Sequence, residues 1–233
     1  MDPEVSSRAF RRLQEVGSRP GNAIQVSSYV YSPAGMTGVE TISHELAEQS
    51  EGTIDHVFCP AGGGGLALAV TRGFRMLVDR GDLDRSPAVE VVQPEGNNTM
   101  AGPLREGAEC AREVESTTRI SGMQVPNIND GHMVVEECRP TAGTGHLVTD
   151  EEVWAIQERL AREEGIFSEP AGAVALAGAL NAVADGTVDA KARIVCVVTG
   201  SGFKDPEAVD RMLEGVGCPT VDLEAFVREV GRA

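Results

Sequence analysis

Four consecutive glycines, Gly62–Gly65, are the residues whose type and spacing most directly indicate chemistry. They follow an apolar run, IDHVFC (54–59), and precede a stretch with helical periodicity, 66–80. Without Cβ atoms, the backbone N–H groups of such a loop can converge on an anion, and the dipole of the following helix also favours negative charge there. The pattern predicts a phosphate site. The alternative is a tight turn without a ligand, although one glycine would suffice for that turn.

Two nucleotide-binding motifs resemble this loop in part. No lysine follows the glycines, so the loop is not an ATP-binding P-loop. The string 62–67 does satisfy G-x-G-x-x-A, and Glu95 follows the next apolar run, where an acid would bind the ribose of a dinucleotide. Because a run of glycines fits almost any glycine pattern, a nicotinamide-dinucleotide domain is kept as the less favoured alternative.

The elements around the loop alternate between apolar strands and amphipathic helices. Strands are predicted at 54–59, 88–92 and 192–198, and the run IVCVV is typical of a strand buried on both faces. This order predicts an α/β fold with a doubly wound, mainly parallel sheet, in a single domain over residues 1–233. Ligands of such sheets bind beyond the carboxyl ends of strands, so the turn TGSG (199–202) is expected at the same edge as the glycine loop.

The remaining elements are predicted from weaker signals. Two T-x-x-E strings, Thr37 with Glu40 and Thr149 with Glu152, fit capping boxes that would each begin a helix. Further helices are expected at 8–16, 105–113, 171–183 and 223–230, and possible strands at 24–30 and 132–138.

Composition limits the possible partners and the compartment. The chain has 233 residues, of which 20 are basic and 36 acidic, and its net charge of −16 argues against nucleic acid or an anionic membrane as partner. The start MDPEVSSRAFRRL has no apolar signal region, and five widely spaced cysteines without a CxxC string indicate neither a disulfide framework nor structural zinc. A cytoplasmic protein is expected, and no metal site is predicted.

The glycine loop in its context resembles a known family. CPAGGGGLALAVTRGFRML (59–77) is similar to the phosphate-binding segment of fold-type II pyridoxal-phosphate enzymes, the tryptophan synthase β-like superfamily. Three more segments agree in the family's order: 32–49, then 148–180 around a Glu-Pro-x-Gly-Ala motif, then 194–206, which is similar to the threonine synthase branch. The resemblance covers about 30–206, is specific when the four segments are taken together, and implies pyridoxal 5′-phosphate as cofactor.

The resemblance also implies roles for individual residues. Gly62, Gly63, Gly64 and Gly65 would bind the cofactor phosphate through their N–H groups. Thr199 matches the hydroxyl residue that bonds the pyridine nitrogen. A hydroxyl there tolerates a neutral ring nitrogen, whereas an aspartate would keep it protonated, and the neutral form suits elimination or replacement at a β-carbon.

Glu169 matches the acid of the family's motif and is a possible site acid. Without the family, its carboxylate would complement a helix N-terminus, and the Thr199 hydroxyl would cap a turn or helix.

The chain lacks the lysine motif that such an enzyme needs for its Schiff base. In the family this lysine lies early, in a Ser-x-Lys-type motif on a small domain, and no such motif is present here. The sequence has two lysines. Lys191 is expected at the amino end of its strand, away from the ligand, and Lys204 is expected to form an ion pair with Asp205 or a neighbouring acid. The catalytic residues are therefore left unassigned in this chain.

Three explanations remain open: one subunit of a split enzyme, a fragment of a longer protein, or a catalytically silent relative that binds a phosphate ligand. The first is favoured. It predicts a lyase or synthase, inactive alone, that acts on a hydroxy- or β/γ-substituted amino acid in a threonine synthase-like or serine/threonine dehydratase-like reaction. A second polypeptide would supply the lysine and the small domain in a hetero-oligomer.

Overall fold

The computed structural model describes residues 12–217 and 220–230, so the predicted helix at 8–16 lies partly outside the described residues. Within these ranges, no helix is long and apolar enough to cross a membrane.

A helical segment over residues 12–17 comes first. The helices that follow are α1 (Pro33–Val39), α2 (Thr41–Gln49), α3 (Gly65–Asp79), α4 (Ala101–Glu106), α5 (Gly131–Cys138), α6 (Asp150–Glu163), α7 (Pro170–Ala184), α8 (Pro206–Met212) and α9 (Leu223–Val230). The strands are β1 (His56–Pro60), β2 (Ala88–Pro94), β3 (Gly145–Val148) and β4 (Ile194–Cys196).

These strands form a parallel sheet in the order β3-β2-β1-β4. β1 is central: His56 pairs with Ala88 of β2 on one side and with Ile194 of β4 on the other. The chain runs outward from β1 to β3 and then returns to the far side of β1 for β4. This reversal opens a crevice at the carboxyl ends of β1 and β4, which is where doubly wound sheets bind ligands. The predicted α/β class is confirmed.

Helices cover both faces of the sheet. α3 packs on the face that carries Val57 and Cys59, and α7 packs on the opposite face with Phe58. α7 consists almost entirely of small and apolar residues, which lets it approach closely: a Cβ added at Gly178 would lie 2.6 Å from Val92 Cγ1. The core therefore has two layers, one on each side of β1 and β2.

Several predicted elements are present. The Thr149 hydroxyl accepts from the Glu152 N–H, and the Glu152 carboxylate accepts from the Thr149 N–H at 2.6 Å, which confirms that capping box at the start of α6. The helices predicted at 66–80, 171–183 and 223–230 and the strands predicted at 54–59 and 88–92 are found within two residues of their predicted bounds.

The capping box predicted for Thr37 and Glu40 is wrong. Thr37 lies inside α1, where its hydroxyl donates to the carbonyl of Ala34 at 2.7 Å. Glu40 is buried and accepts a hydrogen bond from the hydroxyl of Tyr29 at 2.6 Å. In the core, the hydrogen bond from Tyr29 stabilises the Glu40 carboxylate more than a bond from an exposed backbone N–H would. This tertiary contact therefore determines where the Glu40 side chain lies.

Three further predictions are wrong, and one strand was not predicted. Residues 24–30 form turns and irregular chain rather than a strand. Residues 132–138 belong to α5, because the buried Val134, Val135 and Cys138 have helical spacing. The helix predicted at 105–113 is absent, because only residues 105 and 106 are helical, as the end of α4, and residues 107–113 form turns and irregular chain. β3 was missed because it has only four residues, two of them apolar.

β4 is shorter and less buried than its sequence predicts. All three of its residues are half-buried, because β4 lies at the edge of the sheet and lacks a neighbour on its outer side among the described residues. Its direction is nonetheless fixed beyond Cys196, since the N–H of Val197 donates to the carbonyl of Phe58 at 3.0 Å.

A buried acid links three strands on the α7 face. The Glu90 carboxylate contacts His56 Nδ1 at 2.8 Å and His146 Nε2 at 3.0 Å, and it accepts from the N–H of Thr144 at 2.7 Å. Burial opposes ionisation of Glu90, but the hydrogen bonds from His146, Thr144 and His56 outweigh it and hold the pKa below the usual 4.5.

Glu90 is expected to make stability pH-dependent. Because its pKa is lower in the folded chain, its contribution is present above pH 4.5 and is lost as the pH falls below that value. Glu90→Gln should lower the free energy of unfolding at pH 7 by about 1–3 kcal/mol, and the variant should lose less stability on acidification than the parent. Urea denaturation at pH 7 and pH 4 measures both effects. The exposed Glu48→Gln is the control, and equal behaviour of the two variants would contradict the assignment.

Candidate functional site

The glycine loop connects β1 to α3 at the crevice. Gly64 is the N-cap of α3 and has a φ of +95°, a left-handed conformation that favours glycine, and no side chain caps the helix there. Within the described part of the chain, the N–H groups of Gly62, Gly63, Gly64 and Gly65 have no hydrogen-bond acceptor. The loop therefore presents free donors at the positive end of a fifteen-residue helix, which is an arrangement that suits an anion.

Close packing alone is sufficient to explain why glycines occupy these positions, without any ligand. A Cβ at Gly62 would lie 2.9 Å from the carbonyl oxygen of Gly122, and one at Gly65 would lie 2.5 Å from that of Ser27. At Gly64 the Cβ would meet Val134 Cγ2 at 2.8 Å. The premise that a single glycine would suffice for this turn is therefore wrong, and the evidence for an anion site is the set of free N–H groups rather than the glycine run.

Asp130 fixes the loop against the segment that precedes α1. Its N–H donates to the carbonyl of Gly63 at 3.1 Å. Its fully buried carboxylate accepts from the Ser28 hydroxyl and from the N–H groups of Tyr29 and Val30, at 2.9 to 3.1 Å. Sequence reasoning missed Asp130, because no motif marks an acid whose partners lie about 100 residues away. Asp130 thus ties the glycine loop to residues 28–30 through hydrogen bonds.

Thr199 and Glu169 are brought together at the other side of the crevice. The Thr199 hydroxyl donates to Glu169 Oε1 at 2.9 Å, and the N–H of Gly200 donates to the same oxygen at 3.0 Å. Lys204 Nζ lies 2.7 Å from Glu169 Oε2. Glu169 is the N-cap residue of α7, but its side chain makes no capping bond. Its carboxylate is thus directed to Thr199 and Lys204 and not to the N–H groups of its own helix.

The neighbouring backbone holds this carboxylate in place. The Glu169 N–H donates to the carbonyl of Gly200 at 2.8 Å, and Ser168 forms an isolated bridge with Ser201. Ser168 is buried, and its hydroxyl has no hydrogen-bond partner among the residues that the structure describes. The start of α7 and the turn after β4 therefore form one hydrogen-bonded unit. The buried Ser168 hydroxyl, without a described partner, lies beside it.

The two halves of the site meet because β1 and β4 are adjacent and parallel. The glycine loop follows β1 and Thr199 follows β4, so both lie at the carboxyl edge of the sheet. Glu95, the predicted ribose acid of the dinucleotide alternative, is exposed in a short 3-10 helix after β2, one strand further away. Lys191 is exposed before the amino end of β4, as expected, at the opposite edge.

Comparison with known proteins supplies the family. A family model described as "Pyridoxal-phosphate dependent enzyme" matches residues 3–200. The chain belongs to this family. The predicted resemblance to fold-type II enzymes is confirmed, as is the predicted cofactor class, because pyridoxal phosphate is the cofactor of the family.

Curated relatives indicate the branch. Threonine synthase of Methanocaldococcus jannaschii is 31% identical over 204 residues, which are 85% of this chain and 50% of the relative. Threonine synthase of Mycobacterium leprae is 31% identical over 201 residues, 86% of this chain and 54% of the relative. The chain therefore spans about half the length of the curated relatives it matches.

Solved structures agree on the fold. Maize serine racemase superposes with a TM-score of 0.69 at 21% identity, covering 92% of this chain and 63% of that one. Threonine deaminase isoform 2 of Solanum lycopersicum gives a TM-score of 0.68 at 23% identity, covering 88% and 55%. At these identities the likeness shows the fold alone.

The residues present fit the family's cofactor. A phosphate needs several hydrogen-bond donors without a competing partner, and the free N–H groups of Gly62–Gly65 supply them. A pyridine ring needs a polar partner for its nitrogen, and the Thr199 hydroxyl lies at the same sheet edge. The binding roles of Gly62–Gly65, Thr199 and Glu169 stay predictions until they are measured.

The packing of the loop gives a test that is independent of any ligand. Gly64 and Gly81 both have positive φ, but a Cβ at Gly64 meets Val134 whereas one at Gly81 has nothing within 4 Å. Gly64→Ala should lower the free energy of unfolding by about 2–4 kcal/mol, because strain and overpacking add. Gly81→Ala should cost only about 1–2 kcal/mol. Urea denaturation of both variants measures the difference, and equal losses would mean that the loop is not tightly packed.

Proposed function

We propose that this chain is the cofactor-phosphate-binding subunit of a threonine synthase-like enzyme that acts in the cytoplasm. The observation that carries the proposal is the pairing of free glycine N–H groups after β1 with the Thr199 hydroxyl after β4, at the reversal point of the sheet. The family supplies the cofactor class, and the relatives named threonine synthase supply the branch. The substrate would be a hydroxy- or β/γ-substituted amino acid, on which the enzyme performs elimination or replacement.

Each group of this chain would have a defined task. The N–H groups of Gly62–Gly65 and the dipole of α3 would bind the phosphate, and Asp130 would keep the loop in its shape without reorganisation. Thr199 would bond the ring nitrogen and so fix the tilt of the ring. When bound, the cofactor supplies an electron sink for the carbon atoms of the amino acid.

The lysine that carries the cofactor would come from a second polypeptide. Lys191 lies at the wrong edge of the sheet, and the ammonium group of Lys204 is engaged by Glu169. The chain also spans only about half of the threonine synthases that it matches, so the other half of such an enzyme remains to be supplied. The lysine-bearing chain and this one would form a hetero-oligomer that is active only when assembled.

The role of the glycine loop can be tested by placing a charge in it. The Cβ of Gly63 would lie 3.0 Å from Asn129 Nδ2, a tight contact that the end of the Asn129 side chain can relieve by a small shift. Gly63→Asp should weaken binding of pyridoxine 5′-phosphate at least tenfold, roughly 1.4 kcal/mol, because a carboxylate repels the phosphate. Equilibrium dialysis measures the affinity.

Two variants serve as controls for this experiment. Gly63→Ala adds the Cβ without the charge and should change the affinity far less. Gly38→Asp makes the same change at an exposed helical position with open space around it and should leave the affinity unaltered. Equal affinity of Gly63→Asp and the parent would place the phosphate elsewhere.

Reconstitution tests the split arrangement. We expect the chain alone to lack turnover, and to gain it when mixed with a polypeptide that contains a Ser-x-Lys segment, together with the visible absorbance of lysine-bound cofactor. Lys204→Met in this chain should keep that absorbance, whereas replacing the partner's lysine should abolish it. If every lysine-bearing candidate fails while phosphate still binds, the chain is a silent phosphate-binding subunit. Full activity of the unmixed chain would also refute the proposal.

A further inference from the structure

The helix α9 presents an apolar face to solvent. Four apolar side chains, each more than half exposed, recur with the spacing of one helix face: Leu223, Phe226, Val227 and Val230. An isolated helix of eight residues is marginal in water, because few backbone bonds repay the cost of forming its first turn. We therefore expect α9 to bury this face against another surface.

A matching apolar groove lies between the end of α6 and α8, and we call it the α6–α8 groove. It has a volume of about 330 Å³. Six apolar residues line it: Ala161, Phe167, Val209, Met212, Leu213 and Val216. Phe203 extends this surface, since it is 84% exposed and its ring meets the edge of Phe167 at 5.0 Å between centroids. Exposed apolar surface of this extent is typical of an interaction site.

α9 does not fill the groove of its own chain. Among the described residues that line the groove, none comes after Val216, and Leu213 and Val216 are more than half exposed. Only residues 217–222 separate the groove from α9. A short connection of this kind favours the exchange of an element between two copies of a chain. A helix and a groove that match on one chain can both be filled when two copies meet about a two-fold axis.

We propose that two copies of this chain form a dimer in which the α9 of each copy lies in the α6–α8 groove of the other. The dimer buries two helix faces and two grooves, all of which are exposed in the single chain. This surface is distinct from the crevice at the carboxyl ends of β1 and β4, so the inference does not depend on the proposed function.

Charges beside the groove determine the direction of the docked helix. Glu158 and Arg162 lie four residues apart on α6 and line the groove, and Glu224 and Arg228 have the same spacing on α9. An antiparallel arrangement of the two helices places Glu224 beside Arg162 and Arg228 beside Glu158. A parallel arrangement places like charges together, which opposes binding. The dimer is therefore antiparallel at this contact.

Sedimentation equilibrium of the full chain tests the dimer. Because the interface is small, we expect a dissociation constant of about 1–100 µM and a limiting mass of twice the 24.5 kDa of one chain. Phe226→Asp in the helix and Leu213→Asp in the groove should each raise the dissociation constant about tenfold or more. Leu180→Asp adds the same charge at an exposed apolar position of α7 and should leave it unaltered. Circular dichroism shows whether each variant is folded.

Mixing the two defective variants separates exchange between copies from docking within one chain. A mixed dimer of Phe226→Asp and Leu213→Asp has one intact helix and one intact groove, on different copies. We expect the mixture to associate more tightly than either variant alone. Docking of α9 within its own chain predicts no gain on mixing, and that result would overturn the inference.

Reversed charges test the direction of the helix. Arg228→Glu should raise the dissociation constant about threefold, and Glu158→Arg in the same chain should restore it. A double variant no stronger than Arg228→Glu refutes antiparallel docking. A parent chain that stays monomeric at 100 µM, which is about the weakest affinity expected here, overturns the dimer. So does a folded Phe226→Asp that dimerises like the parent, because the interface then lies elsewhere. If α9 is covered only when a lysine-bearing chain binds, the partner is that chain and not a second copy.

Discussion

The parallel pairing of β1 with β4 is the constraint on which the site depends. The glycine loop and Thr199 are separated by about 135 residues in the sequence, and they become neighbours only because Phe58 pairs with Cys196 and the Val197 N–H reaches the Phe58 carbonyl. A slip by one residue would move Thr199 about 3.3 Å along the strand and turn the side chains of β4 to the other face. The site is therefore specified by strand register before any catalytic group is considered.

Two carboxylates at different ends of this sheet are stabilised in the same way, by several hydrogen-bond donors from different elements. Glu90 is satisfied by two imidazoles and a backbone N–H, and it joins β1, β2 and β3 on the α7 face. Glu169 is satisfied by a hydroxyl, a backbone N–H and an ammonium group, and it joins α7 to the turn after β4. Each acid accepts bonds from elements distant in sequence, as a buried charge requires. They differ in that one partner of Glu169, Thr199, lies at the ligand edge.

Sequence patterns identified the elements that have strong local signals. They failed where a contact with a residue distant in sequence determined the local structure. The Thr149–Glu152 capping box and the long apolar strands were predictable, because their hydrogen bonds lie within a few residues or follow from periodicity. The Thr37–Glu40 pair had the same local signal, but Tyr29 binds the glutamate in the core. Residues 24–30 looked apolar enough for a strand, yet the N–H groups of Tyr29 and Val30 donate to Asp130, about 100 residues away.

For the site, sequence order fixed which loops lie at one sheet edge, but it left the direction of side chains open. Glu169 precedes a proline at the start of a helix, so the sequence predicts that its side chain caps α7. Only the fold shows that the side chain bonds Thr199 instead. The Glu169 carboxylate therefore links the start of α7 to the turn after β4, so the position of Thr199 depends on α7 as well as on β4.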